Sequence, residues 1–229
     1  MTGAAQRRRV GILISGRGSN MAALAAAARE PGYPAEIAVV IADRADAAGL
    51  DHARAQGIPA ESVPRRDHPD KPAHEAAIDA CLRRHDVEIV CLSGFMRLLS
   101  ADFLAGWPDR VLNIHPSLLP AFKGLDTHRR ALAAGVKVAG CTVHIVRPEV
   151  DAGPIVGQAV VPVLPGDDAD SLAARILAQE HRLYPRALAH LARGEIVIDG
   201  ERTRLADTTR RGVGDGGAGD AADWARIVF

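Results

Sequence analysis

The residues best placed to do chemistry fall in two short stretches. In Leu112-Asn113-Ile114-His115-Pro116-Ser117-Leu118-Leu119-Pro120, an amide and an imidazole stand two positions apart. On a strand that spacing puts both side chains on one face and turns Ile114 the other way, into a core. Pro116 and Pro120 stiffen the chain that follows. An amide and an imidazole presented together can donate hydrogen bonds to an oxyanion and move a proton. A carboxylate would complete the set. Asp151 offers one in Asp151-Ala152-Gly153-Pro154, where Gly and Pro pin a turn between two apolar runs. A carboxylate beside an imidazole favours the charged ring. A lone His is more often a satisfied core residue, and a lone Asp an ordinary turn residue. Asn-x-His-Pro and Asp-x-Gly-Pro together in one chain favour the catalytic reading. His144, two after Thr142 in a β-rich run, is a candidate to line the same cleft.

The second stretch is Gly16-Arg17-Gly18-Ser19-Asn20. It falls between a strand-like and a helix-like segment, where the free N–H groups of a helix's first turn suit a phosphate. The glycines let the backbone approach closely, and Ser19 and Asn20 add short hydrogen-bonding groups. Met21 occupies the place of the third glycine of GxGxxG, and no Gly-Lys-Ser/Thr follows, so neither a dinucleotide fingerprint nor a P-loop is present. The plainer alternative is a glycine turn with a polar helix cap. There is no Gly-x-Ser-x-Gly elbow for a serine hydrolase. The histidines form no His-x-x-x-His or His-Glu-x-x-His pattern, so no metal is expected. Cys91 and Cys141 sit in apolar runs and read as core.

Alternating elements would hold these loops. Val10 to Ser15, Ile37 to Ala42, Ser62–Val63 and Ile89 to Ser93 read as strands. Met21 to Arg29, Ala45 to Gln56 and Ala73 to Arg84 read as the helices between them. That alternation predicts an α/β fold: a Rossmann-like, mainly parallel sheet with helices on both faces. Val111 to His115 is a further strand and Thr127 to Ala134 a short helix. Val138 to Val146 and Ile155 to Val163 form an antiparallel C-terminal extension of the sheet. Asp168 to Arg193 is a long helix capped near Asp168 or Asp170, and Glu195 to Asp199 a last strand. Residues 1–200 thus form one catalytic domain. Residues 201–229 form a tail whose Gly-, Asp- and Ala-rich part, Arg211 to Ala222, buries too little to order itself. The apolar end, Trp224 to Phe229, is either part of a partly disordered terminus or docks on this or another subunit.

Composition excludes several classes. Lys plus Arg equals Asp plus Glu at 28 each, so no global positive field favours nucleic acid or an anionic membrane. No run approaches the ~20 apolar residues of a membrane helix. Val10 to Ile14 is too short for a signal-peptide core. Three cysteines, Cys81, Cys91 and Cys141, give an odd number at no metal spacing. They point to a reducing, cytoplasmic home.

The chain resembles the phosphoribosylglycinamide formyltransferases, from about Val10 to Gly200. The marks are Ile14 to Asn20, Ser93-Gly94-Phe95-Met96-Arg97-Leu98-Leu99-Ser100, Asn113 to Pro120, Asp151-Ala152-Gly153-Pro154-Ile155 and Gln179-Glu180-His181, in that order. The resemblance implies the formyltransferase fold. It implies transfer of a formyl group from 10-formyltetrahydrofolate, as co-substrate, to the amine of 5-phosphoribosylglycinamide (GAR) in purine synthesis. Asn113, His115 and Asp151 would be catalytic. Gly18, Ser19 and Asn20, with Leu177, Ala178, Gln179 and Glu180, would bind GAR. Met96, Arg97, Leu98 and Leu99, with Asn113 and the wall Arg147, Pro148, Glu149, Val150 and Asp151, would bind the folate. Lys71 aligns with an arginine that many members use for the folate; it keeps the charge and loses the bidentate fork. The family includes homodimers. The nearest rival is formyltetrahydrofolate deformylase, in which water replaces the amine. That enzyme normally carries an N-terminal regulatory domain, and about nine residues precede the first strand here. Methionyl-tRNA formyltransferase would need a C-terminal RNA-binding domain. A non-catalytic phosphosugar-binding module is the alternative of another class.

Overall fold

The computed structural model describes residues 6–206 and 227–229. In chain order the elements are β1 (Arg8–Ile14), α1 (Ser19–Ala27), β2 (Ala35–Ala42), α2 (Ala48–Ala55), β3 (Ala60–Ser62), α3 (Lys71–Arg84), β4 (Ile89–Leu92), α4 (Ala101–Ala105) and β5 (Val111–His115). Then follow α5 (Thr127–Ala133), β6 (Val138–Ile145), β7 (Ile155–Pro162), α6 (Ala169–Ala192), β8 (Ile196–Asp199), β9 (Arg202–Leu205) and β10 (Ile227–Val228). The main sheet runs β10-β7-β6-β5-β4-β1-β2-β3. Its half from β3 to β5 is parallel; β6, β7 and β10 extend it antiparallel. Both the parallel sheet and the antiparallel extension expected from the sequence are present.

The sheet is covered on both faces, which is why its central strands read as continuous apolar runs. One core gathers Met21, Leu24, Leu50, Leu112, Ile114, Ile176 and Leu183, so α1, α2, α5 and α6 lie on that face. The other gathers Val90, Val111, Ile78, Leu82, Phe103 and Trp107 under α3 and α4. Strand order reverses between β1 and β4, and the crevice beyond the ends of those strands is where open α/β sheets bind ligands.

Local chemistry sets the helix ends. Asp168 accepts from the Ser171 amide at 2.8 Å while Ser171 Oγ accepts from the Asp168 amide at 3.0 Å, a reciprocal cap that starts α6. Asp70 accepts from the Ala73 amide and so starts α3. Inside α6, the buried Tyr184 hydroxyl lies within hydrogen-bond distance of the carbonyls of Leu92 (3.0 Å) and Leu112 (3.1 Å), pinning the helix to β4 and β5. Among the described residues no helix is long and apolar enough to cross a membrane.

The structure departs from the sequence reading at several elements, by a few residues at the bounds of α2, β3 and α3 and more substantially elsewhere. Helix α1 begins at Ser19, earlier than the apolar pattern at Met21, because Gly18 takes a left-handed capping conformation (φ 72°). Helix α4 was not anticipated: five residues are too few to show a period, and its start is set by Ser100 capping the Phe103 amide. Strand β8 does not join the main sheet; it forms a separate hairpin with β9, across the boundary placed at residue 200. At the terminus there is no departure: of the readings offered, the structure shows docking on the same chain, with Ile227 and Val228 paired to Ala159 and Gln158 of β7. The stretch Arg211 to Ala222, and Trp224, lie outside the described residues.

Candidate active site

The register of the sheet brings the two chemical stretches to one edge. Leu13 of β1 pairs with Leu92 of β4, Leu92 with Asn113 of β5, and Asn113 with His144 of β6. Neighbouring strands lie about 4.8 Å apart, so Asn113 is about 10 Å across the sheet from the strand feeding the glycine loop. The parallel strands β1, β4 and β5 end on the same side, and both loops emerge there.

Strand β5 presents Asn113 and His115 on one face and buries Ile114 on the other. Because Asn113 and His144 are direct cross-strand partners, their side chains share that face. Asn113 Nδ2 lies 3.1 Å from His144 Nε2, and His144 Nδ1 lies 3.0 Å from the Ile145 carbonyl. The carbonyl can only accept, so Nδ1 carries the proton and Nε2 accepts from the Asn113 amide. Burial lowers the His144 pKa, in keeping with a neutral ring. This contact fixes which end of the Asn113 amide is the donor.

His115 is 6% exposed. Its Nδ1 lies 3.4 Å from Asp151 Oδ1, and its Nε2 lies 3.1 Å from the Phe122 carbonyl. A ring carrying both N–H groups satisfies both acceptors. The second Asp151 oxygen accepts from the Gly124 amide at 2.7 Å. The loop following Pro120 therefore braces both members of the pair. Asp151 itself holds a left-handed backbone (φ 45°), and Gly153 two residues on has φ 111°. Gly153 has no alternative, since a Cβ there would stand 2.3 Å from the Ile145 carbonyl oxygen. Thr142, the cross-strand partner of His115, holds the proline segment: its hydroxyl donates to the Ser117 carbonyl at 2.7 Å and accepts from the Leu119 amide at 3.0 Å.

The glycine loop walls a cleft of about 440 Å³ together with Asp43, Arg44, Ser93, Gly94, Met96 and Arg97. No side chain caps the N-terminus of α1, so its first amides are open to an anion. Asn20 Nδ2 donates to Glu180 Oε2 at 2.6 Å, joining α1 to α6 across 160 residues of sequence. Both are buried, and burial raises the Glu180 carboxyl pKa against the opposing pull of Asn20. Leu177 lies three before Glu180 and shares its helix face; Ala178 is exposed, while Gln179 is buried with an unpartnered Oε1.

Met96, Arg97, Leu98 and Leu99 line a neighbouring cavity of about 320 Å³ with Lys71, Arg65, His74 and Glu75. Met96 is 70% and Leu98 57% exposed, an apolar surface that suits a flat ring system. Met96 and Arg97 border both cavities. Lys71 pairs with Glu75 at 3.7 Å. Beyond β6, Arg147 is engaged by Asp109 and Glu201, Pro148, Glu149 and Val150 are exposed, and Asp151 turns back to His115.

The sequence reading did not pair Asp43 with Arg97. Asp43 closes β2, is buried, and accepts from Arg97 Nε at 2.5 Å while its Oδ1 has no partner. An acidic residue at the end of a second Rossmann-like strand was the available signal. The three cysteines are not poised as free nucleophiles: burial pushes the Cys81 and Cys91 thiols up to about 12 and the Cys141 thiol higher still.

The formyl transferase family matches residues 8–188. The chain belongs to that family. It is 38% identical to the phosphoribosylglycinamide formyltransferase of Escherichia coli K12, over 83% of this chain and 93% of that protein. The solved structure of glycinamide ribonucleotide transformylase 1 from Symbiobacterium toebii is 49% identical, with a TM-score of 0.88 over 90% of this chain and 98% of that one. The chain also matches the trifunctional purine biosynthetic protein adenosine-3 of Bos taurus at 45% identity over 89% of its own length, and spans about a fifth (20%) of that relative. A formyltetrahydrofolate deformylase from Pseudomonas syringae shares the fold at 27% identity and a TM-score of 0.82, over 89% of this chain and 67% of that one.

Proposed function

We propose that this formyl transferase moves the formyl group of 10-formyltetrahydrofolate to the amine of GAR in de novo purine biosynthesis. The observation that carries the reading is the His115–Asp151 pair at 3.4 Å, with Asn113 on the same strand face, at the sheet edge that also bears the open glycine loop. The amines' owner would be held by its phosphoribosyl part: phosphate on the Gly18–Asn20 amides, sugar hydroxyls toward Glu180. The folate ring would lie on Met96 to Leu99, with Lys71 nearby and Arg147 to Asp151 as the opposite wall.

In this mechanism the GAR amine attacks the formyl carbon, a carbon–nitrogen bond forms, and the carbonyl electrons move onto oxygen. Asn113 donates a hydrogen bond to that oxyanion, and protonated His115 joins it once its Nε2–H turns from the Phe122 carbonyl to the oxyanion. Asp151 holds the ring and its charge. Collapse of the intermediate breaks the bond to the folate nitrogen, which takes up a proton delivered through His115, while the amine's surplus proton leaves toward Asp151 or water. Formyl-GAR and tetrahydrofolate result. His144, neutral and turned to Asn113, keeps the amide N–H end in place. The protein would work in the cytoplasm, a reading that its three unpaired, buried cysteines support.

The deformylase reading keeps the same trio but leaves the Asn20–Glu180 pair without a task. Replacement separates catalysis from binding: His115→Ala and Asp151→Asn should each cut kcat by roughly a hundredfold or more, the scale of losing an oxyanion donor, with GAR affinity within severalfold of the parent. Near-normal turnover in both purified variants would refute the assignment.

A further inference from the structure

Away from the formyl-transfer site, the C-terminal end of α3 meets the edge strand β3. Cys81 and His85 are four apart on that helix, so they lie one above the other on one face. Cys81 is buried and His85 is the capping residue. Glu61 of β3 reaches the same point, its Oε1 2.6 Å from His85 Nε2. The thiol, imidazole and carboxylate ligand atoms all lie within 4.8 Å of one another. In a tetrahedral zinc site, bonds of about 2.0–2.3 Å place neighbouring ligand atoms about 3.4–3.6 Å apart. The separations here, from 2.6 Å up to that limit, bracket this spacing, so a small opening of the Glu61–His85 contact admits an ion.

We propose that Glu61, Cys81 and His85 form a binding site for a thiophilic divalent cation of the zinc class, with a water in the fourth position. One carboxylate and one thiolate balance the ion's two charges, and the thiol proton passes to solvent on binding. The negative end of the α3 dipole faces the same point. Imidazole and thiolate select such a metal over calcium or magnesium. The group that holds the place of the ion is Arg84, which donates to Glu61 and approaches Cys81 Sγ at 3.6 Å. Its side chain is 59% exposed, and an ion pair so placed yields readily. The bound ion would clip the three-residue edge strand to α3 and leave formyl transfer untouched. The set carries no paired-histidine spacing, because Glu61 lies twenty residues before Cys81 on a different element.

The test uses the full chain, stripped with chelator and titrated with Co²⁺. The expected result is thiolate-to-cobalt charge-transfer absorption with the strong visible bands of a four-coordinate ion, saturating at one equivalent and bleached by Zn²⁺. Cys81→Ser should abolish the charge-transfer band. Glu61→Gln and His85→Ala, at partly exposed positions, should weaken Co²⁺ binding by at least roughly a hundredfold, the upper range seen on disturbing a metal's surroundings. Absence of the charge-transfer band in the parent protein, or a band of equal strength and affinity in Glu61→Gln and His85→Ala, would overturn the proposal.

Discussion

Replacing Gly153 by Ala probes the aim of Asp151 without touching any reacting group. At φ 111° an added Cβ would stand 2.3 Å from the Ile145 carbonyl oxygen and 2.8 Å from Arg147 Cγ. The first of these is backbone and cannot swing aside, so the turn must move away from β6. Its Asp151 carboxylate now stands 3.4 Å from His115 Nδ1. At an effective dielectric of about 20, opposite unit charges attract by about 5 kcal/mol at that distance and by about 3 kcal/mol if the carboxylate withdraws about 2 Å. The loss of about 2 kcal/mol of support for the charged ring in the transition state corresponds to a fall in kcat of roughly twentyfold to thirtyfold. Steady-state formyl transfer at saturating substrates measures it, with a thermal melt run alongside to establish that the variant is folded. A folded Gly153→Ala protein whose kcat stays within about a factor of two of the parent would refute the reasoning that this turn aims the carboxylate.

Other expectations follow from the same contacts. Glu180→Gln keeps an acceptor for Asn20 and removes a buried charge. Burial raises the Glu180 pKa, so the folded state binds this proton more strongly than the unfolded chain, and stability falls as pH rises from the ordinary carboxylate value through the raised one. The variant should therefore melt higher at neutral pH yet show a GAR KM raised about tenfold to a hundredfold, the scale of charged hydrogen bonds lost; an unchanged KM would contradict the sugar-binding role. His144→Ala leaves the Asn113 amide without its partner and should lower kcat about tenfold or more with KM little changed, read by steady-state kinetics. The lowered His144 pKa carries a sign of its own: the unfolded chain takes up this proton first, so stability is present above about pH 6.5 and is lost as pH falls toward the folded value. A pH series of melts should show that loss, blunted in His144→Phe; His74, His128 and His181, shifted the same way, supply the rest.

Much of this architecture is legible in the residues, for reasons that differ by element. The central strands announce themselves because they are buried on both faces, and the start of α6 because acidic caps stand at Asp168 and Asp170; the Ser171 contacts single out Asp168. The glycine loop and the Asn113–His115 spacing reveal which groups share a face. What periodicity omits is register. The meeting of Asn113 with His144 depends on how β5 aligns with β6, and that of Asn20 with Glu180 on where α6 crosses α1, 160 residues away. The bracing of His115 by the Phe122 carbonyl and of Asp151 by the Gly124 amide is likewise invisible, because backbone groups carry no sequence signature. Strand β9 hides in a polar stretch, Arg202–Leu205, whose pairing with β8 is set by the turn at Gly200 (φ 58°).

The choice between amine and water as the formyl acceptor decides what this enzyme does, and one assay addresses it. The purified protein is mixed with 10-formyltetrahydrofolate, with and without GAR, and tetrahydrofolate release is followed. Release that requires GAR and yields formyl-GAR one for one is the expected result. Release at the same rate in its absence would show a hydrolase and contradict the assignment of Asn20 and Glu180 to the acceptor.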